Sequence, residues 1–223
     1  MFLPLHDRNP LRIVGFQFVT LLFMVACILV FFWQQNLAQA SVYASYTYGV
    51  VPSVLFARQA LPPEVNALPA GLTLLSYMFL HGSWMHLLGN MLFLWIFGDN
   101  IEDSMGHFRF VLFYLLCGVI AALTHSMMLP GSEMPMIGAS GAIAGLLGGY
   151  LVLHPRVKIL ILVFSRVPVR VPAFLVLLGW LVFQVFSVMQ ISNDSPVAWW
   201  AHIGGFIAGM ILIIPMRFKS VPL

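Results

Sequence analysis

Five side chains in this 223-residue chain have the types and spacing for hydrolytic chemistry. His81, His86 and Asn90 lie within ten residues of one another, Ser140 sits in the run Gly138-Ala-Ser-Gly141, and His202 follows Ala201. A serine hydroxyl is a weak nucleophile until a neighbouring base takes its proton, and imidazole is the commonest such base. The oxyanion formed by attack on a carbonyl needs fixed hydrogen-bond donors. His86 and Asn90 are four residues apart, so on a helix they project from one face a turn apart. Together with the Ser140 N–H at a helix N-terminus they can supply those donors. His81 is about 140° round a helix from His86 and belongs to the loop or the first turn. None of the seven acids (Asp7, Glu64, Asp99, Glu102, Asp103, Glu133 and Asp194) falls in an apolar run suited to a third member. The expectation is therefore a Ser-His dyad, its histidine oriented by packing rather than by a carboxylate.

These groups can meet only if the helices that carry them approach closely. Gly141, Gly145 and Gly149 recur every four residues after Ser140, and Ala201, Gly205 and Gly209 recur every four around His202. Small stripes let helix backbones come together in lipid, where no hydrophobic force draws them. If the two stripes face each other, the hydroxyl and the imidazole come within hydrogen-bond reach.

The composition requires that solvent to be lipid. Only 8% of residues are charged, against roughly 25% in soluble proteins, and 61% are hydrophobic. The net charge of +3 does not indicate nucleic acid, because the ten basic residues are scattered between apolar runs. Cys27 and Cys117 both lie in apolar runs and offer neither a disulfide framework nor a metal motif.

Five runs approach the length of a spanning helix: Ile13 to Trp33, His86 to Phe97 with its flanks, Phe110 to Leu129, Pro172 to Ile191 and Val197 to Met216. The first is read as a retained helix rather than a signal peptide, since its apolar core is too long for one. A sixth run, Ser140 to Leu153, is short. Its ~21 Å cannot cross ~30 Å of hydrocarbon, so one end must stop inside the membrane. The deficit is assigned to the Ser140 end, below a loop containing Pro130, Gly131, Pro135 and Gly138. The run Ile159 to Phe164 is too short to span, and Pro168 and Pro172 mark it as loop. Six crossings put both termini, and every basic residue except Arg58, on one side, which the positive-inside rule makes cytoplasmic. The organisation expected is a cytoplasmic segment 1–12, a six-helix domain 13–216 with a long outer loop at about 34–80, and a cytoplasmic tail 217–223.

The same residues admit other readings. A glycine-flanked serine in a membrane helix is commonly a packing residue, and a histidine near a helix end is commonly interfacial. A zinc protease would carry a His-Glu-x-x-His helix, and no glutamate is suitably placed. Proton or ion transport through the His and Asn cluster would predict an acid within a helix, and none is seen.

The motifs taken in order resemble those of the rhomboid family of intramembrane serine proteases, over roughly Tyr48 to Met210. His81-Gly-Ser-Trp-Met-His86-Leu-Leu-Gly-Asn90 carries its His-x4-His-x3-Asn spacing, and Gly138-Ala-Ser140-Gly141 its Gly-x-Ser-Gly motif. Ala201-His202 followed by Gly205 and Gly209 is similar to its final-helix signature, and Gly98 to Gly106, containing Glu102, resembles its turn after the second helix. The resemblance implies an all-α, six-transmembrane-helix bundle with a short fourth helix carrying the nucleophile. It implies Ser140 as nucleophile, His202 as base, and His86, Asn90 and the Ser140 N–H as the oxyanion hole. His81, Gly138, Gly141, Gly205, Gly209 and Glu102 would be structural or loop support. No metal and no cofactor are implied. The implied partners are the lipid bilayer and membrane-protein substrates with a transmembrane segment, and a bacterial inner membrane is the expected location. A rhomboid-like protein that binds membrane clients without cutting them is the competing class, against which the joint presence of Ser140 and His202 argues. The chain departs from the commonest pattern in lacking a Trp-Arg pair near Leu72-Thr73, and in having Ala144 where many members stack an aromatic on the histidine.

Overall fold

The structure is a computed structural model that describes residues 2–65, 68–163, 167–190 and 197–223. Arg166, Asp194, and the run ends Phe164 and Ile191 fall outside the described residues. Strand β1 is Phe2–Asp7 and helix α1 is Phe18–Asn36. The segment up to residue 80 holds three short helices, α2 (Ser41–Tyr48), α3 (Pro52–Leu55) and α4 (Ala70–Ser76), plus single 3-10 turns. Helices α5 (Trp84–Met105), α6 (His107–Met128) and α7 (Ser140–Leu153) follow. Strands β2 (Lys158–Val163) and β3 (Val167–Pro172) precede helices α8 (Ala173–Gln190) and α9 (Trp199–Met216).

Helices α1, α6, α8 and α9 are long and apolar enough to cross a membrane. Helix α5 matches α6 in length but carries Asp99, Glu102 and Asp103 in its last two turns, and α7 has only 14 residues. α7 is apolar on every side, and a helix of that kind belongs in the middle of a bundle. It is buried along almost its whole length, in contact with α5, α6, α8 and α9. At the other extreme, α8 buries only Ala173, Val176, Leu177, Gln184 and Ser187, and shows Val182, Phe183, Val185 and Phe186 to the surroundings.

Three expectations need correction. The all-α reading omits a three-stranded antiparallel sheet in the order β1-β2-β3, which includes residues 2–7 and the run expected to be loop. The six residues of β2 are too few for a spanning helix but enough for a central strand, and the strand buries Ile159 and Ile161. Pro168 and Pro172 are tolerated because β3 is an edge strand. Secondly, Gly98 to Met105 is not a turn. Helix α5 runs through it and stops at Gly106, whose φ of +78° a residue with a side chain would resist. Thirdly, the long segment before α5 is helical over much of its length and does more than connect. Val50 forms an antiparallel bridge with Met136, Ser53 N–H donates to Ser132 O at 3.0 Å, and Tyr77 O accepts from Gly138 N–H at 2.9 Å. These bonds hold the loop that delivers Ser140.

The sheet end of the bundle is tied together by carboxylates. Glu102, fully buried, accepts from the N–H groups of Val19 and Thr20 at 2.9 and 2.8 Å and from the Thr20 hydroxyl at 2.7 Å. It thereby satisfies donors in the first turn of α1, which have no intrahelical partner. His107 Nδ1 lies 2.5 Å from the same carboxylate. Asp103 accepts from the N–H groups of Arg12, Ile13 and Val14. A single oxygen of Asp7 takes both the Tyr150 hydroxyl at 2.5 Å and Asn100 Nδ2 at 3.1 Å, and so docks β1 on α7 and α5. The tail returns to this end, where Phe218 N–H donates to Ser104 O.

Candidate active site

At the opposite end from the sheet, the first residue of α7 meets the first turn of α9. Ser140 Oγ lies 2.8 Å from His202 Nε2. The approach depends on the small stripes, which do face each other. A Cβ on Gly205 would run into the carbonyl oxygen of Gly141, and one on Gly209 into that of Gly145. Any larger residue there would have to push α9 off α7 and part the hydroxyl from the imidazole.

Helix α5 brings the second group of residues. Its N-cap is Ser83, in extended backbone, whose hydroxyl accepts from His86 N–H at 3.1 Å and so fixes where the helix starts. His86 stands in the first turn and Asn90 one turn on. Both face Gly138, two residues before the serine. Gly138 has φ +119°, and a Cβ there would lie 2.6 Å from the His86 ring and 3.8 Å from Asn90 Nδ2. This is close backbone approach in a conformation that only glycine adopts readily. Asn90 Nδ2 is buried with no hydrogen-bond partner among the described residues. The Ser140 N–H, at the first position of α7, has no carbonyl one turn behind it within its own helix. His86 and Asn90 thus stand beside Gly138, two residues before the serine whose N–H opens α7.

His81 lies in the turn before α5 and is 1% exposed. Its N–H donates to Gln34 Oε1 of α1 at 2.9 Å, its Nδ1 lies 3.2 Å from Phe79 O, and its ring meets His86 edge-on at 5.1 Å. Burial, with His86 beside it, pushes its imidazole down to about 4, so at neutral pH it is an uncharged ring whose Nδ1–H donates to the Phe79 carbonyl. Glu102 is sixteen residues along α5 from His86, roughly 24 Å away, and belongs to the sheet end.

A cavity of about 610 Å³ opens over Ser140 and His202, walled by His86, His125, Met136 and Trp199 among others. A larger hollow of about 740 Å³, among residues 43–65 and Glu133, contains none of the candidate groups.

The surroundings of His202 are what sequence reasoning did not assign. Gln184, on α8 and 2% exposed, places Oε1 2.8 Å from His202 Nδ1. Trp180, one turn before it, sits with its ring centroid 5.7 Å from the imidazole and stacks on Phe206, and Trp199 meets the imidazole edge-on at 6.1 Å. These rings pack where Ala144 supplies no aromatic. The spacing Trp180 to Gln184, one helical turn, was the available signal. Bulky residues on a membrane helix are equally compatible with facing lipid, which holds for Phe183 but not for Trp180. His125, at the end of α6, also lines the cavity, and its Nδ1 is buried without a partner among the described residues.

Residues 70–218 match the Rhomboid domain family. The chain is 30% identical over 154 residues to Rhomboid-like protein 11, chloroplastic, of Arabidopsis thaliana, covering 65% of this chain and 52% of that protein. It is 34% identical over 142 residues to RHOMBOID-like protein 4 of the same plant, covering 64% and 33%. It is 33% identical over 144 residues to Rhomboid protease GluP of Bacillus subtilis (strain 168), covering 64% and 26%. The chain thus spans about half the length of these relatives or less.

Proposed function

The chain belongs to the rhomboid family, and from that premise we propose that it is an intramembrane serine endopeptidase acting through Ser140 and His202. The observation that carries the proposal is the 2.8 Å contact between Ser140 Oγ and His202 Nε2 under a cavity that His86 also lines. In the reaction Ser140 Oγ attacks the carbonyl carbon of the scissile peptide while its proton passes to His202 Nε2. The Ser140 N–H, Asn90 Nδ2 and the His86 ring stabilise the oxyanion. The imidazolium then protonates the leaving amine, leaving an acyl-enzyme on Ser140. Water entering through the cavity gives up a proton to His202 as it attacks the ester, and His202 returns that proton to Ser140 Oγ as the acid leaves.

The substrate class is a membrane protein cut in or next to its transmembrane segment. Its helix must unwind locally, because carbonyls bonded within a helix are not presented for attack. In this reading α1, α5, α6, α7, α8 and α9 all cross the bilayer, with the ends of α5 and α7 completed by the carboxylate-tied sheet end and by the loop 130–139. Among the described residues, every basic residue except Arg58 belongs to the sheet side, and in this reading that side, with both termini, is cytoplasmic. A bacterial inner membrane is the proposed location.

The test is to incubate the purified protein with a single-span substrate, and separately with a fluorophosphonate probe. Cleavage and labelling that disappear in Ser140→Ala and in His202→Ala are expected. Cleavage undiminished in those variants, or neither cleavage nor labelling in the native protein, would overturn the assignment.

A further inference from the structure

We propose that Gln184 is a positioning residue standing where a triad would have its carboxylate: it sets the tautomer of His202 and makes that setting depend on the seating of α8. This rests on the serine protease reading for its consequence in catalysis, but its structural content can be tested without it.

An imidazole that is to take the serine proton must have a bare Nε2, so its single proton must sit on Nδ1. Packing can hold a ring's plane but cannot choose which nitrogen carries the proton; only a hydrogen bond does that. The partner of Nδ1 is Gln184 Oε1, 2.8 Å away. An amide could in principle turn its nitrogen to the ring and impose the opposite tautomer. Here the nitrogen is engaged, since Gln184 Nε2 donates to Trp180 O, one turn back on α8, at 3.4 Å. Flipping the amide would set its oxygen against that carbonyl. The oxygen therefore faces Nδ1, accepts a hydrogen bond from its N–H, and leaves Nε2 free for the Ser140 hydroxyl 2.8 Å away. The result is a directed chain, Ser140 to His202 to Gln184 to the Trp180 carbonyl, that crosses α7, α9 and α8.

A neutral amide suits this depth. A carboxylate buried beside the histidine would have to be desolvated, at several kcal/mol. An amide whose oxygen and nitrogen are both bonded avoids most of that cost. What an amide cannot do is neutralise the imidazolium that forms during attack, so its contribution is orientation and should be smaller than a carboxylate's. Replacing the acid of a soluble serine protease by an amide that imposes the wrong tautomer costs about 10⁴-fold in kcat. Removing a neutral orienting group is expected to cost less, about 10- to 100-fold.

Helix α8 adds the second half of the inference. It is the least buried of the long helices, and Gln184 and Ser187 are its only buried polar side chains among the described residues. Movement of α8 away from α9 would break the Gln184 bond before anything touched Ser140 or His202 directly. The tautomer of the base is thus held by this bond only while α8 is seated.

The test uses the full chain in detergent or liposomes. Gln184→Met keeps the volume and removes the acceptor, and Gln184→Glu keeps an acceptor oxygen. Expected for Gln184→Met is a 10- to 100-fold fall in kcat with KM within about twofold, and for Gln184→Glu recovery to within about fivefold of the native protein. The readout independent of activity is ¹⁵N NMR of histidine-labelled protein, with His202 assigned by difference from His202→Ala. It should show a protonated Nδ1 and bare Nε2 in the native protein, and a mixed or reversed tautomer in Gln184→Met. An unchanged His202 spectrum in Gln184→Met overturns the proposal whatever the enzyme does. So does a loss confined to KM. If the native protein has the stated tautomer but cleaves nothing, the protease reading fails and the positioning role stands. Should Gln184→Met not fold, Gln184→Ala read by the same spectrum decides between these outcomes.

Discussion

Replacing Gly138 by alanine should silence the site through His86, and the structure sets the size of the effect. The new Cβ would stand 2.6 Å from Cε1 and Nε2 of His86, where ordinary contact begins at 3.4 Å. If the backbone holds, the ring must retreat by about 0.8 Å. A donor serves an oxyanion from 2.7–3.1 Å, so a retreat of that size takes it to roughly 3.5 Å or beyond, outside hydrogen-bond range. Loss of one oxyanion donor costs about 10²- to 10³-fold in kcat. The φ of +119° adds strain of about 1–3 kcal/mol for any residue with a Cβ, seen as lower thermal stability. The assay is cleavage of a single-span substrate in liposomes by the native protein, Gly138→Ala, His86→Ala and the double variant. Because both substitutions remove the same donor, the double variant should be little worse than either single. Gly131→Ala, with nothing within 4 Å of its Cβ, is the control and should behave as native. Activity of Gly138→Ala within about threefold of native would refute the reasoning, as would a double variant that loses the product of the two single effects.

Three further outcomes are expected. Glu102→Ala strips partners from Val19 N–H, Thr20 N–H and the Thr20 hydroxyl, and should cost about 3 kcal/mol or more in unfolding experiments. It should leave cleavage at low temperature near native, since the site is at the other end of α5; equal stability of the variant would contradict the capping role. Gly209→Val should abolish fluorophosphonate labelling by forcing α9 off the Gly145 carbonyl, whereas Gly179→Ala, whose Cβ meets nothing within 4 Å, should label normally. For Asp7, burial raises the carboxyl above its usual 3.8 despite the Tyr150 hydroxyl and nearby His6, which act to lower it. The folded state therefore holds this proton to higher pH than the unfolded state, and stability contributed by protonation is full below about 3.8 and lost as pH rises through the folded value. Asp7→Asn keeps one oxygen for both Tyr150 and Asn100, so its thermal stability should fall less than native over that window; parallel curves would show that Asp7 does not titrate there.

How much of this was legible in the sequence depended on whether the determining contacts were local. The bounds of α7 follow from an apolar run between Gly138 and His154, and the long apolar runs of α1, α6, α8 and α9 announce themselves by length. The stripes of glycine every four residues announced a close helix pair before either helix had a position. The sheet did not announce itself, because β2 is six residues long and is a strand only by virtue of β1, more than 150 residues earlier, and β3. The apolar pattern of so short a run fits several structures. Gln184 was visible as a polar residue in an apolar helix, yet its partner lies on another helix, and no spacing within α8 could say which face α9 would meet. Trp180 was hidden for the same reason: an aromatic on a helix of a membrane protein is compatible with lipid and with a histidine alike.

The two ends of the bundle are held together by different chemistry, and the solvent accounts for the difference. At the sheet end Asp7, Glu102 and Asp103 bind backbone N–H groups, a hydroxyl and a side-chain amide, with His107 in reach. At the site end the bonds run through amides, hydroxyls and imidazoles: Gln34 to the His81 N–H, Ser83 to the His86 N–H, Gln184 to His202 and Ser140 to His202. Carboxylates can serve at the sheet end because each is matched there by several strong donors, close to where water and the basic residues lie. On the proposed reading, a catalytic end that admits a substrate helix from lipid cannot keep such donors permanently matched, since they have to be vacant for the oxyanion. An ionised group left among vacant donors and lipid would carry the full desolvation cost in every resting cycle. Neutral polar groups carry a much smaller one. The absence of a carboxylate partner for His202 among the described residues is therefore consistent with the position of the site, and the Gln184 amide oxygen is an uncharged acceptor in its place.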